Sequence, residues 1–214
     1  MQKDLNIALD TNKRKFGFKK GCSTEAALHK VTNMIERRIA KKGYVLGVFL
    51  DIEAAFDNMS FKANKKRMPP RRNLITILVD DLLTLSPNDT PGYLQLQAFA
   101  DDIVSLAEGN DLDVIWDRTC KTINTITKWC KTKVLTISAL ETKIVMFTWN
   151  KKWTLRPIVV DNTTIKLSTS AKFLGVTIDN KLNYNEHITN ITKKATASLM
   201  HHAMQESSRA HFGT

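Results

Sequence analysis

Residues 93–107 read YLQLQAFADDIVSLA, and their pattern sets the fold expected of the whole chain. Apolar and polar residues alternate through Leu94, Gln95, Leu96 and Gln97, the period of a half-buried strand. Asp101 and Asp102 interrupt it, and a second apolar run follows from Ile103. A strand, an acidic tip and a returning strand make a hairpin that carries carboxylates out of a sheet. Two adjacent acids repel each other and gain nothing from burial. A cation or a solvated turn is needed to hold them there.

A third acid is a candidate to join them. Residues 44–52, YVLGVFLDI, are almost all apolar, with Asp51 near the end. That predicts a strand buried on both faces with one carboxylate at its carboxyl end. Asp57 follows in EAAFDN, in the turn after the strand. If this strand and the hairpin are neighbours in one sheet, Asp51, Asp101 and Asp102 converge. Converging oxygens suit Mg²⁺, which binds through one or two carboxylates with waters and phosphates. Two such ions about 3.5–4 Å apart can activate a hydroxyl and stabilise a leaving group on phosphorus.

The charge balance fits a phosphate-rich partner. The 214 residues carry 32 Lys+Arg against 21 Asp+Glu, a net charge of +11. Nucleic acid is the first partner such a surface suggests, and an acidic membrane the second. An inert basic surface is the bland alternative. Cys22, Cys120 and Cys130 are scattered and form no CxxC pair, so neither a disulfide framework nor a zinc site is indicated, and a reducing compartment fits. The first fifteen residues lack the apolar core of a secretory signal. No apolar run approaches a membrane span. An intracellular protein, nuclear or cytoplasmic, is expected.

Around this centre the chain divides as follows. Residues 1–20 are a polar, basic lead-in. Ser23 or Thr24 caps a helix in which Ala27, Val31, Ile35 and Ile39 recur at helical spacing, and Gly43 is expected to end it. Residues 62–72, KANKKRMPPRR, hold six basic residues and two adjacent prolines in eleven positions, which suits a loop and no core. Its Lys65, Lys66, Arg67, Arg71 and Arg72 are candidate nucleic-acid contacts, as are Lys151 and Lys152 further on. Residues 73–85 predict a short buried helix, in which Asp80 and Asp81 occupy a solvated face. Residues 111–131 predict the longest helix, with an apolar stripe through Leu112, Ile115, Trp116, Thr119, Ile123, Ile126 and Cys130. Trp116 and Trp129 belong to its core side. Trp149 and Trp153 flank a basic turn and are better placed to stack on bases. Strands are expected at 143–149 and 172–179, a hairpin at 158–167 turning at Asp161-Asn162, and an amphipathic helix at 186–200. His29 and His187 lie on expected helices, and His201-His202 near an end; packing or surface roles suit all four better than metal binding.

Four stretches, in order, resemble the reverse transcriptase of non-LTR (LINE-like, Jockey/CR1-type) retrotransposons. FGFKKGCST is similar to a fingers-side segment usually written GFRKGRST. YVLGVFLDIEAAFDNMSF is similar to the first catalytic palm motif. QAFADDIVSLAEG is similar to the double-aspartate motif. The segments from ETKIVMFTWNKKWTLRP to ATASLM resemble the later lysine motif, a primer-grip-like hairpin and the first thumb helix. The resemblance implies an α/β (α+β) fold: a palm-like sheet of a right-hand polymerase with packed helices, spanning residues 21–180, with the start of a thumb at 181–214. It implies RNA-directed DNA synthesis on an RNA template and DNA primer, dNTP as substrate, and Mg²⁺, or Mn²⁺ in its place. Asp51, Asp101 and Asp102 would bind the metal, with the main chain at Ile52. Phe56 would be the steric gate against a ribose hydroxyl, and Lys143 would lie by the triphosphate.

The departures point to lost activity. Asp51 and Asp101 are only 50 positions apart, and the PQG-type segment that the family has between them is missing. Cys22 stands where the family has arginine and cannot supply its bidentate contact. The thumb, the endonuclease and the amino-terminal fingers are expected to be largely absent. The expectation is therefore a truncated, internally deleted copy with little or no polymerase activity. Its rivals are a non-catalytic nucleic-acid-binding remnant and a translated pseudogene product with no function.

Overall fold

The computed structural model describes residues 23–53, 81–83, 94–99, 102–160 and 162–211. A first helix, α1 (Thr24–Ala40), starts where its sequence predicts: the Ser23 hydroxyl accepts the Ala26 N–H at 3.1 Å, satisfying one of the orphan donors of a helix start. Ala27, Val31, Ile35 and Ile39 are all buried, with Met34 beside them. The helix does not end on Gly43. Lys41 caps it and Lys42 takes the left-handed turn at φ 57°, while Gly43 lies under the Arg38 side chain, whose Nε a Cβ would strike.

The sheet that follows is built on β1 (Tyr44–Leu50), which continues into a short β2 (Ile52–Glu53). Next come β3 (Leu94–Phe99) and β4 (Asp102–Gly109), paired antiparallel as the expected hairpin, with Phe99 opposite Asp102. Then follow α2 (Leu112–Thr132), β5 (Thr136–Ile137) and β6 (Lys143–Phe147). The hairpin of β7 (Ile158–Val160) and β8 (Thr163–Ile165) precedes β9 (Leu167–Ser168). A second hairpin, β10 (Ser170–Phe173) with β11 (Val176–Asp179), leads to α3 (Asn185–His211). The main sheet has the order β3-β4-β1-β6-β9. Its first four strands pair antiparallel, and β9 joins β6 in parallel.

Strand β1 is central and apolar on both faces because both faces are covered. Leu46, Val48 and Leu50 point with Ile103, Ala107 and Ile144 toward α2, where Ile115, Ile123, Ile126 and Trp129 meet them. Val45 and Phe49 point the other way, with Val104, Leu106, Val145 and Phe147, against α1 and the β10–β11 hairpin. Phe49 packs edge-on to Phe147 at 6.5 Å between centroids and tilted to Phe173 at 6.0 Å. Gly47 lies on that second face, and a Cβ there would come within 3.0 Å of Phe147 and 3.1 Å of Phe49. Only glycine lets the aromatic rings close over the strand.

Several expectations change. Gln97, expected on a wet face, is fully buried; its side chain donates to the Ala27 carbonyl at 2.9 Å, because α1 covers the face that alternation left polar. Residues 172–179 are not one strand but parts of two, with the turn at Leu174 (φ 49°) and Gly175 (φ 83°); paired left-handed residues make the tight turn whose twist suits a hairpin. Strand β6 stops at Phe147, and the Thr148 hydroxyl donates to the Gly43 carbonyl at 3.1 Å.

The expected amphipathic terminal helix is longer, and its apolar residues remain in solvent: Ile188, Ile191 and Leu199 are 58%, 51% and 72% exposed. Trp129 is core, but Trp116 is only partly buried, with Arg156 stacked on its ring at 3.9 Å. Trp153 packs on the core edge. None of the helices described is long and apolar enough to cross a membrane.

Of the expected helix at 73–85, residues 81–83 are described, and they are helical with Leu82 and Leu83 buried. Asp81 does more than face solvent. Its carboxylate accepts the Trp129 indole N–H at 3.2 Å and pairs with Lys133 at 2.8 Å, tying this turn to the end of α2. The hydrogen bond from Lys133 holds the Asp81 carboxyl below its ordinary 3.8, against an opposing effect of burial and with help from Trp129.

Two predictions follow from this packing. Gly47→Val forces Phe49 and Phe147 apart and lowers unfolding stability by about 1–3 kcal/mol, measurable by urea titration. Asp81→Asn costs a few tenths to about 1 kcal/mol at neutral pH, the pair being half in water. A depressed carboxyl stabilises above its unfolded value and loses that contribution as pH falls through its folded one. The gap between wild type and Asp81→Asn therefore closes as pH drops below 3.8.

Candidate active site

The register of β1 against β4 positions the acids. Leu50 lies opposite Ile103, so the next step along both strands sets Asp51 opposite Asp102. Alternation puts Asp51 on the face of Val45 and Phe49, and Asp102 on that of Val104 and Leu106. Both side chains therefore leave the same face, at the end where β1 finishes and β4 begins. Directly opposite side chains have Cβ atoms about 4.5–5.5 Å apart. Both acids line one cavity of about 450 Å³, together with Glu141, Lys143, Lys172 and the Leu174–Gly175 turn.

Strand β6 delivers the lysine. Lys143 is opposite Phe49 on the other side of β1, which places it on the same face, one strand away from Asp51. Its ammonium donates to the Leu140 carbonyl at 3.1 Å. The main chain at Asp51 is held from below. The Ser138 N–H donates to the Asp51 carbonyl at 2.9 Å, and the Asp51 N–H reaches the Thr142 hydroxyl at 3.5 Å. Ser138 and Thr142 are both buried. Ile52 is committed to β2, paired with Ile137 of β5, so the chain turns off the main sheet immediately after Asp51.

Of the residues expected at the site, Asp51, Asp102 and Lys143 come together. Asp101, Phe56, Lys65, Lys66, Arg67, Arg71 and Arg72 lie outside the described residues. Lys151 and Lys152 are exposed but belong to the loop after β6, at the opposite end of the sheet. Lys172 was not expected. The signal that could have found it is the Leu174-Gly175 pair, a turn signal that folds Lys172 back over the cavity.

The donor set is all oxygen. Two carboxylates across a strand pair, beside a cavity open to water and phosphate, suit a hard cation such as Mg²⁺. Among the described residues no group of three His, Cys, Asp or Glu side chains converges on one point. Such a cation would therefore take the rest of its shell from water, substrate or residues outside that set. The lysines on either side offer positive charge to an anion bound there.

No family model matches the chain. Among curated proteins it is 25% identical to a probable RNA-directed DNA polymerase from transposon X-element of Drosophila melanogaster, over 94% of this chain and 26% of that protein. It is 23% identical to the RNA-directed DNA polymerase from mobile element jockey of the same organism, over 88% and 25%. A putative 115 kDa protein in the type-1 retrotransposable element R1DM is 26% identical, over 85% and 21%. The chain thus spans about a quarter of the length of the curated relatives it matches. The X-element match runs over 246 aligned positions, whereas 94% of 214 residues is about 201, so about 45 positions have no residue of this chain. Over most of its length, then, this chain is similar to the RNA-directed DNA polymerases of Drosophila non-LTR retrotransposons.

Proposed function

We propose that this chain is a shortened polymerase palm, descended from an enzyme that adds deoxynucleotides to a primer on an RNA template, and that it carries out this reaction weakly or not at all. The observation that carries the palm reading is the pairing of Asp51 with Asp102 across β1 and β4 in one cavity, flanked by Lys143 and Lys172. Asp51 and Asp102, with Asp101 as the third carboxylate, would hold Mg²⁺. Held by those carboxylates, it would supply Lewis acidity toward a primer hydroxyl and positive charge toward the phosphates. The lysines would orient the triphosphate by charge, and Phe56 would exclude a ribose 2′-hydroxyl. Ser138 and Thr142 keep the Asp51 backbone from shifting when its side chain takes up a charged ligand.

Loss of activity is the reading favoured by the aligned positions that have no residue of this chain. Asp51 and Asp102 keep their register because the sheet holds it. The floor on which the nucleotide and template rest is supplied by chain between them, and here that stretch is short. Misplacing reacting groups by about 1 Å can cost on the order of 10²-fold.

Two outcomes test these statements. Saturating MgCl₂ raises the melting temperature of the wild-type chain, by as much as about 2.7 kcal/mol of stability at a hundredfold excess over Kd. Asp51→Asn with Asp102→Asn removes the response; an equal response in the double variant would place the ion elsewhere. In Mg²⁺-dependent extension of a DNA primer on an RNA template, the folded chain gives little or no product above the Asp101→Ala, Asp102→Ala variant. Robust extension that the variant abolishes would show that the shortened palm still works. A folded chain that binds template but does not extend it is the non-catalytic remnant.

A further inference from the structure

The end of the sheet opposite the acidic cavity gathers cations from two distant parts of the sequence. The turn after α1 carries Lys41 and Lys42, and the loop after β6 carries Lys151 and Lys152; all four are exposed. Two hydrogen bonds hold these segments together: Thr148 Oγ1 donates to the Gly43 carbonyl at 3.1 Å, and Asn150 Nδ2 donates to the Lys42 carbonyl at 3.2 Å. No acidic residue occurs in 37–43 or 148–153, which together hold six cations. Arg37 and Arg38 complement the carboxyl end of the α1 dipole. That does not account for Lys151 and Lys152, which belong to another element. Next to Asn150 in the same loop is Trp149, 59% exposed, the single aromatic among the large apolar side chains that the described residues leave in solvent.

An exposed indole set among flexible ammonium groups has the makings of a single-strand platform. Any base can stack on the ring, and the lysines can follow the phosphates without reading sequence. A double helix hides its base faces and could use only the lysines. We propose that this edge, formed by Lys41, Lys42, Trp149, Lys151 and Lys152, is a docking surface for single-stranded nucleic acid, separate from the acidic cavity. Strand β1 sets the two ends of the sheet about 20 Å apart at about 3.3 Å per residue. The surface stands whether or not the chain polymerises.

The test is fluorescence anisotropy of a labelled single-stranded oligonucleotide of about 12 residues, within the range one such platform covers, on the full chain. Trp149→Ala weakens binding about tenfold, Trp149→Phe restores most of it, and duplex binding hardly changes. Lys41→Ala, Lys42→Ala, Lys151→Ala and Lys152→Ala together reduce the slope of log affinity against log salt by about two to three, at about 0.7 per phosphate contact. All five side chains are exposed, and circular dichroism confirms that each variant is folded. The proposal is overturned if Trp149→Ala binds single strands as wild type does, if it weakens single strands and duplex alike, or if the salt slope survives the four lysine changes. Asp51→Asn with Asp102→Asn keeps the binding. Loss of binding there, with the far edge intact, would move the surface to the acidic cavity, and it is a failure distinct from absence of primer extension.

Discussion

A slip of one residue between β1 and β4 would dismantle the core and the cavity together. The pairing of Leu50 with Ile103 keeps Leu46, Val48 and Leu50 against α2 and turns Val45 and Phe49 toward α1. The same pairing sets Asp51 across from Asp102 at the strand ends. Because side chains alternate with a period of two, any odd shift exchanges the two faces. The acids are thus held by the burial of about a dozen apolar side chains rather than by attraction to each other. Two like charges facing across a pair of strands are locally unfavourable, and the hydrophobic register on either side is strong enough to impose them.

That arrangement rests on strand pairing. The strands that present Asp51, Asp102 and Lys143 pair directly with one another, and α2 seals one face of the sheet. Their contacts do not require the chain between β2 and β3. The turn at 81–83 nonetheless re-enters the fold: Leu82 and Leu83 are buried and Asp81 is tied to Trp129 and Lys133. These three residues thus pack into the core beside the carboxyl end of α2. Geometry at the carboxylates and support for a bound ligand are separate properties, and the paired strands account for the first.

The two ends of the sheet differ in the chemistry they offer. One end brings together carboxylates, two lysines and a hairpin turn around a cavity. The other exposes lysines and an indole on two segments, 37–43 and 148–153, that contain no acidic residue. Through residue 202, helix α3 leaves Ile188, Ile191, Leu199 and Met200 in solvent. Its attachment is local: Asp179 accepts the backbone N–H groups of Lys181, Asn183 and Tyr184, and His187 Nδ1 accepts that of Thr177 at 3.3 Å.

Local pattern by itself determined the elements whose periodicity is unbroken. The 3.6-residue spacing of Ala27, Val31, Ile35 and Ile39, the stripe through Ile115 and Ile126, the apolar run of β1 and the hairpin of β3 with β4 were all legible, as were the places of Asp51 at a strand end and Asp102 at the start of a returning strand. These signals are carried by neighbours in sequence, where one face is apolar and the other is not. What lay beyond them was decided by contacts between distant segments. Gln97 is buried because α1 covers it, and Asp81 is anchored because Trp129 and Lys133 arrive from 48 and 52 positions away. Lys172 enters the cavity because two left-handed residues reverse the chain. Lys42 meets Asn150 because β1 and β6 run antiparallel side by side. A side chain's partner across a sheet is set by strand order and register, and those depend on which faces the rest of the molecule buries. Only the tertiary structure supplies that.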